Sequence, residues 1–516
     1  MLRLLRAGRN LARLSQIALT LARHDALAPL EDVPGMASIV ALARLARRRS
    51  PAPARPGERL AAALQALGPS LIKLGQALST RADLVGEEIA GDLSALQDRL
   101  PPFPGAEARA TIAAELGSPV EVLFRSFDDA PVAAASIAQV HLAVTSEGTP
   151  VAVKVLRPGI RRAFARDLDL FLWIAALVER TQPSLRRLKP TAVVKTFSET
   201  VRLEMDLRFE AAAASELRQN LAGDPDFRVP EVDWRRTGRQ VMTTERASGI
   251  PIDERERLIA AGHEPRAIME KAASAFFKQV FRDGFFHADL HPGNLFIAED
   301  GAIVAVDFGI MGRIDRGTRF YLADMLLGFL TGDYRRVAEV HFDAGYVPPR
   351  QSLEAFAQAC RSIGEPILGR PLHEISLAKL LAQLFEVTEQ FEMETQPQLL
   401  LLQKTMLVAE GVGRRLDPTV NMWALARPLI EEWMRENRGL EARIVDATTG
   451  TAEFLERLPS LVRNLEGAVS LLTEQGLALD DEAIGALRER REAAFLMSLP
   501  MWLIALALLA IAAALW

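Results

Sequence analysis

The chain has 516 residues and a mass of 56.6 kDa, with 49% hydrophobic and 25% charged residues. This globular composition excludes the intrinsically disordered, collagen-like and low-complexity classes. The 61 lysines and arginines against 66 aspartates and glutamates give a net charge of −5, so no basic excess indicates a nucleic-acid partner. The single cysteine, Cys360, excludes an internal disulfide and favours a reducing compartment. Few aromatic residues and abundant leucine, alanine and arginine favour a mostly helical protein.

The N-terminal segment carries arginines at positions 3, 6, 9 and 13 among leucines, which predicts an amphipathic helix. Its charges interrupt every apolar run, so it is not a secretory signal. Three interpretations stay open: a helix on an anionic membrane surface, a helix packed on the body of the protein, and a transit peptide.

Proline and alternating hydrophobicity divide the next part of the chain. The stretch Ser50–Gly57 is a proline-rich linker, and residues 58–100 have a helical pattern that ends at Pro101. Helical patterns also fill 160–182 and 191–222, and helices dominate from Ala267 onward. The predicted strands are Val140–Val144, Val151–Leu156, Arg228–Val232, Gln240–Glu245, Leu295–Ile297 and Ile303–Val306, the last two as a hairpin around Asp300-Gly301. A small strand-rich lobe followed by a larger helical lobe is the predicted α+β architecture.

The strongest chemical signal is the sequence H-A-D-L-H-P-G-N at 287–294, followed by D-F-G at 307–309. It matches the protein-kinase catalytic loop H-R-D-L-x-x-x-N and the later D-F-G, with alanine in place of the arginine. In that chemistry one carboxylate, here Asp289, faces the acceptor hydroxyl or water. Two oxygen ligands, here Asn294 and Asp307, hold Mg²⁺ against the nucleotide phosphates. The two histidines of the loop are predicted to shape it, because no third zinc ligand stands at a suitable spacing.

An upstream motif agrees with a nucleotide site. V-A-V-K at 151–154 matches the V-A-I-K strand whose lysine pairs with phosphates, although a lone strand lysine is more often a solvated edge charge. The stretch 133–140 fits G-x-G-x-x-G-x-V with alanine at every glycine position, so this loop is expected to be stiff. Without Lys154 it would be interpreted as the start of an alanine-rich helix. The predicted nucleotide-binding residues are Val132, Ala133, Ala134, Ala135, Ser136, Ile137, Ala138, Gln139, Val140 and Lys154.

Residues Phe495–Trp516 form an uncharged run of 22 residues, long enough for a helix to cross the hydrocarbon core. A buried core helix would have a polar stripe, which this run lacks. Three arginines at 488, 490 and 491 precede it and are expected to stay cytoplasmic. The sequence therefore predicts a single C-terminal membrane anchor with the body of the protein in the cytoplasm.

Taken with the kinase motifs, four further segments make the chain resemble the UbiB/ADCK family of atypical, protein-kinase-like proteins. They are a KxGQ motif with Lys73 and Gln76, the alanine-rich loop, an ExD motif with Glu204 and Asp206 followed by Glu210, and a C-terminal signature from Leu402 to Pro418. The resemblance covers about residues 60–430. It implies an atypical kinase-like fold of two lobes with an N-terminal helical extension. The implied parts are an N-terminal segment with its linker (1–57), a helical extension (58–128), an N-lobe (129–247), a C-lobe (248–440), a helical connector (441–494) and the transmembrane anchor (495–516).

The resemblance also implies roles for single residues. Lys154 would bind nucleotide phosphate with Glu210 as its helix partner, and Lys73 would pair with Glu204 or Asp206. Asp206 and Glu210 are four residues apart and are predicted to share a helix face. Glu245, at the end of a predicted strand, resembles the hinge where adenine meets the backbone.

The function that the resemblance implies is a membrane-anchored, Mg·ATP-binding ATPase or phosphotransferase that supports ubiquinone biosynthesis, assisting a polyprenylphenol hydroxylation. Expected partners are a membrane lipid or quinone precursor and other enzymes of that pathway, at the bacterial inner membrane. No A-P-E motif follows the D-F-G, which argues against a protein substrate. Two alternatives stay open: a nucleotide-gated scaffold or lipid-extraction factor without phosphoryl transfer, and a true protein kinase.

Overall fold

The computed structural model describes residues 2–26, 55–79, 86–94, 101–181, 189–366, 383, 386–388, 390–393, 396–417 and 422–438. The predicted membrane span at 495–516 and the predicted connector at 441–494 lie outside these residues. Within the part that the structure describes, no helix is both long and apolar enough to cross a bilayer.

Helices make up most of the described chain. In chain order they are α1 (Leu2–Arg23), α2 (Pro56–Leu67), α3 (Pro69–Ser79), α4 (Glu87–Ser94), α5 (Gly105–Leu116), α6 (Val120–Leu123), α7 (Ile160–Thr181), α8 (Pro190–Glu204), α9 (Leu207–Asn220), α10 (Arg255–Ala260), α11 (Pro265–Phe277), α12 (Arg316–Thr331), α13 (Tyr334–Asp343), α14 (Leu353–Gly364), α15 (Pro397–Leu416) and α16 (Met422–Arg438). The strands are β1 (Phe124–Phe127), β2 (Ala133–Ala134), β3 (Ala138–Thr145), β4 (Pro150–Leu156), β5 (Phe227–Arg228), β6 (Val241–Glu245), β7 (Ile250–Pro251), β8 (Phe285–His287), β9 (Leu295–Ile297), β10 (Ile303–Ala305) and β11 (Met311–Arg313).

These elements form two compact units. The first contains the described residues up to Leu207 together with Trp234–Thr243, and the second contains Arg208–Asp233 together with the described residues from Thr244 onward. Each unit has its own apolar clusters of buried side chains.

The sheet of the first unit has the strand order β1-β3-β4-β6, with β2 paired to β3. Along β4 the side chains of Val151, Val153 and Val155 enter the apolar cluster that also holds Ile112 of α5. Because successive strand residues point to opposite faces, Lys154 lies on the other face of the sheet. The apolar alternation thus holds this lysine away from the core.

Helix α1 packs on the first unit through its arginines. Arg13 forms a buried ion pair with Asp167 of α7 at 2.8 Å, and its guanidinium also donates to the carbonyl of Leu67 at 3.1 Å. Arg9 pairs with Asp169 of the same helix at 3.0 Å. Of the three interpretations of the N-terminal segment, the structure shows the helix packed on the body of the protein.

The second unit contains two small sheets, with strand orders β5-β10-β9-β7 and β11-β8. The hairpin predicted around Asp300-Gly301 is present, with Ile303 opposite Ile297 and Gly301 at a φ of +80°. An apolar cluster brings together side chains from β8, α15 and α16, among them Phe286, Leu402 and Trp433. This cluster underlies the strand from which the catalytic-loop motif emerges.

One predicted helix is broken by a tertiary contact. The pattern at 191–222 predicts a continuous helix, but α8 ends at Glu204 and α9 begins at Leu207. The amide of Leu207 donates to the carbonyl of Arg239 at 3.0 Å, a bond that a continuing helix would not allow. Asp206 therefore precedes α9, and the prediction that it shares a helix face with Glu210 is wrong.

Two other predicted elements are shorter than their patterns. The strand at 228–232 is reduced to β5, because Pro230 has no amide hydrogen to donate, and Val232 makes only an isolated bridge with Thr244. The helical pattern at 58–100 is interrupted at Gly68, whose φ of +103° suits glycine. In each case one residue, Pro230 or Gly68, ends the regular structure.

The environment of Cys360 gives a test of the core of the second unit. Its thiol is buried in the cluster with Tyr334, Phe356 and Phe391, and burial raises the pKa of Cys360 to about 12. A raised thiol pKa suppresses the reactive thiolate. We expect alkylation by iodoacetamide at pH 8 to be at least ~100-fold slower in the folded protein than in denaturant.

The control for this measurement is Ser362→Cys in a Cys360→Ala background, which places the thiol on an exposed face of the same helix. That variant should react at the rate of a free thiol. Rapid alkylation of Cys360 in the folded chain, followed by mass spectrometry, would contradict the burial of the cluster.

Candidate active site

The catalytic-loop motif begins where β8 ends, and β11 begins two residues after the D-F-G motif. These two strands pair antiparallel, with His287 opposite Met311. The amide of Ala288 extends the pairing by donating to the carbonyl of Ile310 at 3.0 Å. The pairing therefore brings the two motifs side by side.

His287 links the two motifs through both nitrogens of its ring. The side chain is fully buried, Nδ1 accepts from the amide of Asp289 at 3.1 Å, and Nε2 lies 3.3 Å from the carbonyl of Val306. Burial lowers the pKa of His287, so the ring is neutral with its hydrogen on Nε2, donating to Val306. The imidazole shapes the loop, which is the role predicted for it.

Asn294 closes the loop from its other end. Its side-chain Nδ2 donates to the carbonyl of Asp289 at 3.1 Å, and its own carbonyl accepts from the amide of Val306 at 2.9 Å. His291 contributes a smaller bond, since its Nδ1 accepts from the amide of Gly293 at 3.2 Å. The loop is thus held by its own side chains and by the segment that leads to Asp307.

Asp307 has an uncommon backbone conformation. Its φ is +62°, its side chain is exposed, and Oδ1 accepts from the amide of Gly309 at 3.3 Å. Left-handed backbone is uncommon for a residue other than glycine, and such strain concentrates at functional sites. The side-chain Nδ2 of Asn294 is engaged inside the loop, so its side-chain oxygen Oδ1, together with the Asp307 carboxylate, could hold Mg²⁺. Two protein ligands suit this ion, which usually keeps water and phosphate oxygens in its shell.

The alanine-rich segment of the first unit is a hairpin turn, so the alternative of a helix start is wrong. Ala133 and Ala134 of β2 pair with β3, and the amide of Ala135 donates to the carbonyl of Ala138 at 2.8 Å. The guanidinium of Arg157 donates to the carbonyl of Ala135 at 3.0 Å from Nη2. A turn closed in this way uses the amide of Ala135 internally, where it cannot bind a phosphate.

Three predicted nucleotide-site residues fall in different units. Lys154, on β4, belongs to the first unit, whereas Glu210 in the first turn of α9 and Glu245 at the end of β6 belong to the second. Glu245 is exposed, and its amide donates to the carbonyl of Glu231 at 2.8 Å. The pairing of Lys154 with Glu210 and the hinge role of Glu245 stay predictions.

The KxGQ and ExD segments meet within the first unit. Lys73 Nζ of α3 lies 3.2 Å from Oε2 of Glu204 at the end of α8, with side-chain exposures of 14% and 19%. Asp206 lies 3.4 Å from the guanidinium of Arg239. Of the two partners predicted for Lys73, the structure brings Glu204 to it. Gln76 lies one turn further along α3 and is half-buried.

Models of two protein families match this chain. The ABC1 atypical kinase-like domain matches residues 95–341, and the UbiB helical domain matches residues 360–421. The protein named "Probable protein kinase UbiB" of Marinobacter nauticus is 41% identical over 473 residues, which cover 90% of this chain and 86% of that protein. The protein of the same name from Aliivibrio salmonicida is 44% identical over 415 residues, 79% of this chain and 76% of its own.

The chain belongs to the UbiB family. The Rv3197 protein of Mycobacterium tuberculosis, solved in complex with erythromycin, aligns with a TM-score of 0.52 and 27% identity, over 71% of this chain and 93% of that chain. The mostly helical α+β, protein-kinase-like fold predicted from the sequence is therefore confirmed.

Sequence reasoning missed a supporting residue beneath the UbiB-family catalytic loop. Residues Lys278–Asp283 form a turn of π-helix, and Gln279 within it is buried and accepts from the amide of His287 at 3.0 Å. Such turns are rare and recur near functional sites. The only signal in the sequence is a glutamine among aromatic residues, which does not indicate its partner.

A second missed contact comes from the helical domain of the family. Lys404 of α15 lies with Nζ 3.4 Å from Oδ1 of Asp289. It belongs to the C-terminal signature that carries the family resemblance, but that signature does not indicate a role for it. Its position relative to Asp289 depends on how α15 packs, which local sequence patterns do not report.

The Lys73–Glu204 pair allows a quantitative test. A double-mutant cycle with Lys73→Met and Glu204→Gln, measured by urea unfolding, should give a coupling free energy of about 1 kcal/mol, because both side chains are largely shielded from water. The matched control is the Arg266–Glu270 pair, which has the same 3.2 Å separation but exposures of 65% and 51%. Its coupling should be about 0.3–0.5 kcal/mol. Equal couplings for the two pairs would show that Lys73 and Glu204 do not form a shielded pair.

Proposed function

We propose that this protein binds Mg·ATP and uses it as an ATPase or as a phosphotransferase to a small or lipid-like acceptor, in support of ubiquinone biosynthesis. The observation that carries the proposal is the hydrogen-bonded loop that holds Asp289 and Asn294 beside the segment leading to Asp307. The relatives named "Probable protein kinase UbiB" support phosphoryl chemistry, and the family resemblance supports the quinone pathway.

Each unit, taken by itself, contains residues that suit one part of a magnesium nucleotide. In the second unit the carboxylate of Asp307 and the amide oxygen of Asn294 are suitable Mg²⁺ ligands. In the first unit the hydroxyl of Ser136, in the alanine-rich turn, is buried and has no hydrogen-bond partner among the described residues. An unpaired buried hydroxyl is costly, and a phosphate oxygen would satisfy it. Lys154 would add a positive charge for the phosphates. When bound, Mg·ATP supplies the phosphoryl group.

The role of Asp289 follows from its surroundings. Its backbone is held at both the amide and the carbonyl, by His287 and Asn294, so its carboxylate is presented at a defined position. A carboxylate held in this way can orient the hydroxyl of an acceptor, or a water molecule, and accept its proton.

The alanine-rich turn and the KxGQ ion pair favour an enzyme whose phosphotransferase activity is restricted over a protein kinase. The amide of Ala135 is used within the turn, and Lys73 is neutralised by Glu204. The chain also lacks the A-P-E motif with which ordinary kinases position protein substrates. A nucleotide-gated scaffold or lipid-extraction factor without phosphoryl transfer is the second candidate, because binding of a nucleotide without turnover would use the same residues.

The metal assignment can be tested with Asp307→Asn. Removing one carboxylate charge should abolish, or reduce at least ~10-fold, the apparent affinity for Mg·ATP measured by thermal shift, because Mg²⁺ prefers anionic oxygen ligands. Glu299→Gln is the control, since Glu299 is an exposed acid on the neighbouring hairpin. Unchanged Mg·ATP stabilisation in Asp307→Asn would remove this residue from the site.

The three candidate functions separate in one assay with the purified protein. Radiolabelled ATP is incubated alone, with a quinone-precursor lipid in vesicles, and with a generic peptide substrate. Label released as phosphate or found in the lipid supports the proposal, and efficient labelling of the peptide supports the protein kinase. Binding of ATP without turnover in any condition supports the scaffold and overturns the proposal.

We also propose that residues 495–516 anchor the protein in the inner membrane, with the body in the cytoplasm. The support is the uncharged length of this run and the arginines before it.

A chain truncated after Arg491 should be released from membranes washed in high salt, while the full chain stays in the pellet. Recovery of the full chain in the soluble fraction would overturn the anchor. A membrane location would bring the site to a lipid or quinone precursor and to other enzymes of the pathway.

A further inference from the structure

The ion pair between Lys404 and Asp289 joins the helical domain of the family to the catalytic loop. Lys404 lies in the range matched by the UbiB helical domain, and Asp289 lies in the range matched by the kinase-like domain. Their charged atoms are 3.4 Å apart, and the side chains are 41% and 34% exposed. Both residues belong to the second unit, so the contact is internal to one compact body.

Packing of α15 determines where this lysine lies. Leu402 is buried in the apolar cluster that also contains Ala288, the residue directly before Asp289. Thr405, directly after Lys404, is fully buried, and its hydroxyl donates to the carbonyl of Leu401 at 2.8 Å. The backbone on either side of Lys404 is therefore fixed by buried neighbours, which keeps the ammonium within reach of the carboxylate.

Stability does not explain the pair. An ion pair with this much exposure contributes at most about 1 kcal/mol, and often less. The lysine is also long and flexible, so holding it in one place costs side-chain entropy. A chemical role is the stronger explanation, because Asp289 is the carboxylate predicted to orient the nucleophile.

The catalytic loop itself supplies no cation. From Ala288 to Asn294 the sequence contains neither lysine nor arginine. The Nδ1 of His291 accepts a backbone hydrogen bond, a role that requires this nitrogen to be unprotonated. In phosphoryl transfer negative charge develops on the oxygens around phosphorus, and positive groups near the nucleophile stabilise it. Lys404 is the cation that the described structure brings to Asp289.

We propose that Lys404 is a residue of the active site, so that the helical domain completes the catalytic centre of the kinase-like domain. In the resting chain its ammonium holds the Asp289 carboxylate. During transfer the acceptor oxygen loses its proton to Asp289 as the new O–P bond forms, and the bond from phosphorus to the leaving oxygen of the nucleotide breaks. Lys404 keeps its protons, forms no covalent bond and faces the negative charge that develops on the oxygens around phosphorus. This inference rests on the proposed function.

The test compares steady-state ATP turnover by the full-length wild type, Lys404→Met, Lys404→Arg and the control Lys271→Met. Lys271 is also an ion-paired, partly exposed lysine of the second unit, 2.9 Å from Asp226. Loss of the Lys404 charge should lower kcat at least ~10-fold and leave KM for ATP within about threefold, because the charge acts on the transferring group. Lys404→Arg, which keeps the charge, should retain most of the turnover, and Lys271→Met should match the wild type.

The outcomes separate the inference from the proposed function. No ATP turnover by the wild type overturns the proposed function, and the inference with it. Turnover by the wild type and by Lys404→Met at equal kcat overturns the inference alone. A raised KM with unchanged kcat would make Lys404 a ground-state binding residue, which also overturns the inference.

Folding of each variant is checked by the protection of Cys360 from alkylation. If Lys404→Met is not protected, Lys404→Arg decides, because loss of activity in a folded arginine variant contradicts a role that requires only charge.

Discussion

The geometry of the catalytic loop depends on one buried imidazole. His287 accepts from the amide of Asp289 and donates to the carbonyl of Val306, so a single ring sets the spacing between the loop and the segment before Asp307. Both bonds require the neutral ring with its hydrogen on Nε2, and burial favours that form by disfavouring the charged one. Gln279 then satisfies the amide of His287 from below, so the histidine is itself held. Removing the ring would leave the Asp289 amide and the Val306 carbonyl without these partners.

Local pattern predicted the parts of the site that lie close together in sequence. The loop at 287–294 is predicted from its match to a kinase motif, and the hairpin around Asp300-Gly301 from turn chemistry and strand alternation; the structure contains both. The contacts that sequence reasoning missed join different elements: Gln279 reaches His287 from a π-helical turn 8 residues earlier, and Lys404 reaches Asp289 from α15, 115 residues later. The break between α8 and α9 has the same origin, because the amide of Leu207 is taken by Arg239. Periodicity reports which face of a helix is apolar, but not which residue of another segment will meet it.

In the first unit, hydrogen bonds hold the alanine-rich turn and an ion pair holds the KxGQ segment to the ExD segment. The alanine-rich turn satisfies the amide of Ala135 internally, and Arg157 holds the carbonyl of the same residue. The Lys73–Glu204 pair is largely shielded from water, so either charge alone would be left partly desolvated if its partner withdrew. A ligand that opened the alanine-rich turn or separated the ion pair would therefore have to replace the hydrogen bonds or the charge that these interactions supply. A polyphosphate with its cation carries both the oxygens and the positive charge that such a replacement needs.

Replacement of the usual catalytic-loop arginine by alanine has a structural consequence that bears on chemistry. Ala288 is fully buried in an apolar cluster with Leu402, a position that a guanidinium could occupy only at a large desolvation cost. The apolar cluster that excludes a charge at 288 also holds Leu402 of α15, and α15 carries Lys404 to the neighbouring carboxylate. The loss of a cation within the loop and the gain of one from the helical domain are thus two results of a single packing arrangement. In this family member the charge balance around Asp289 is therefore set by tertiary packing, since the loop that carries Asp289 contains no cation of its own.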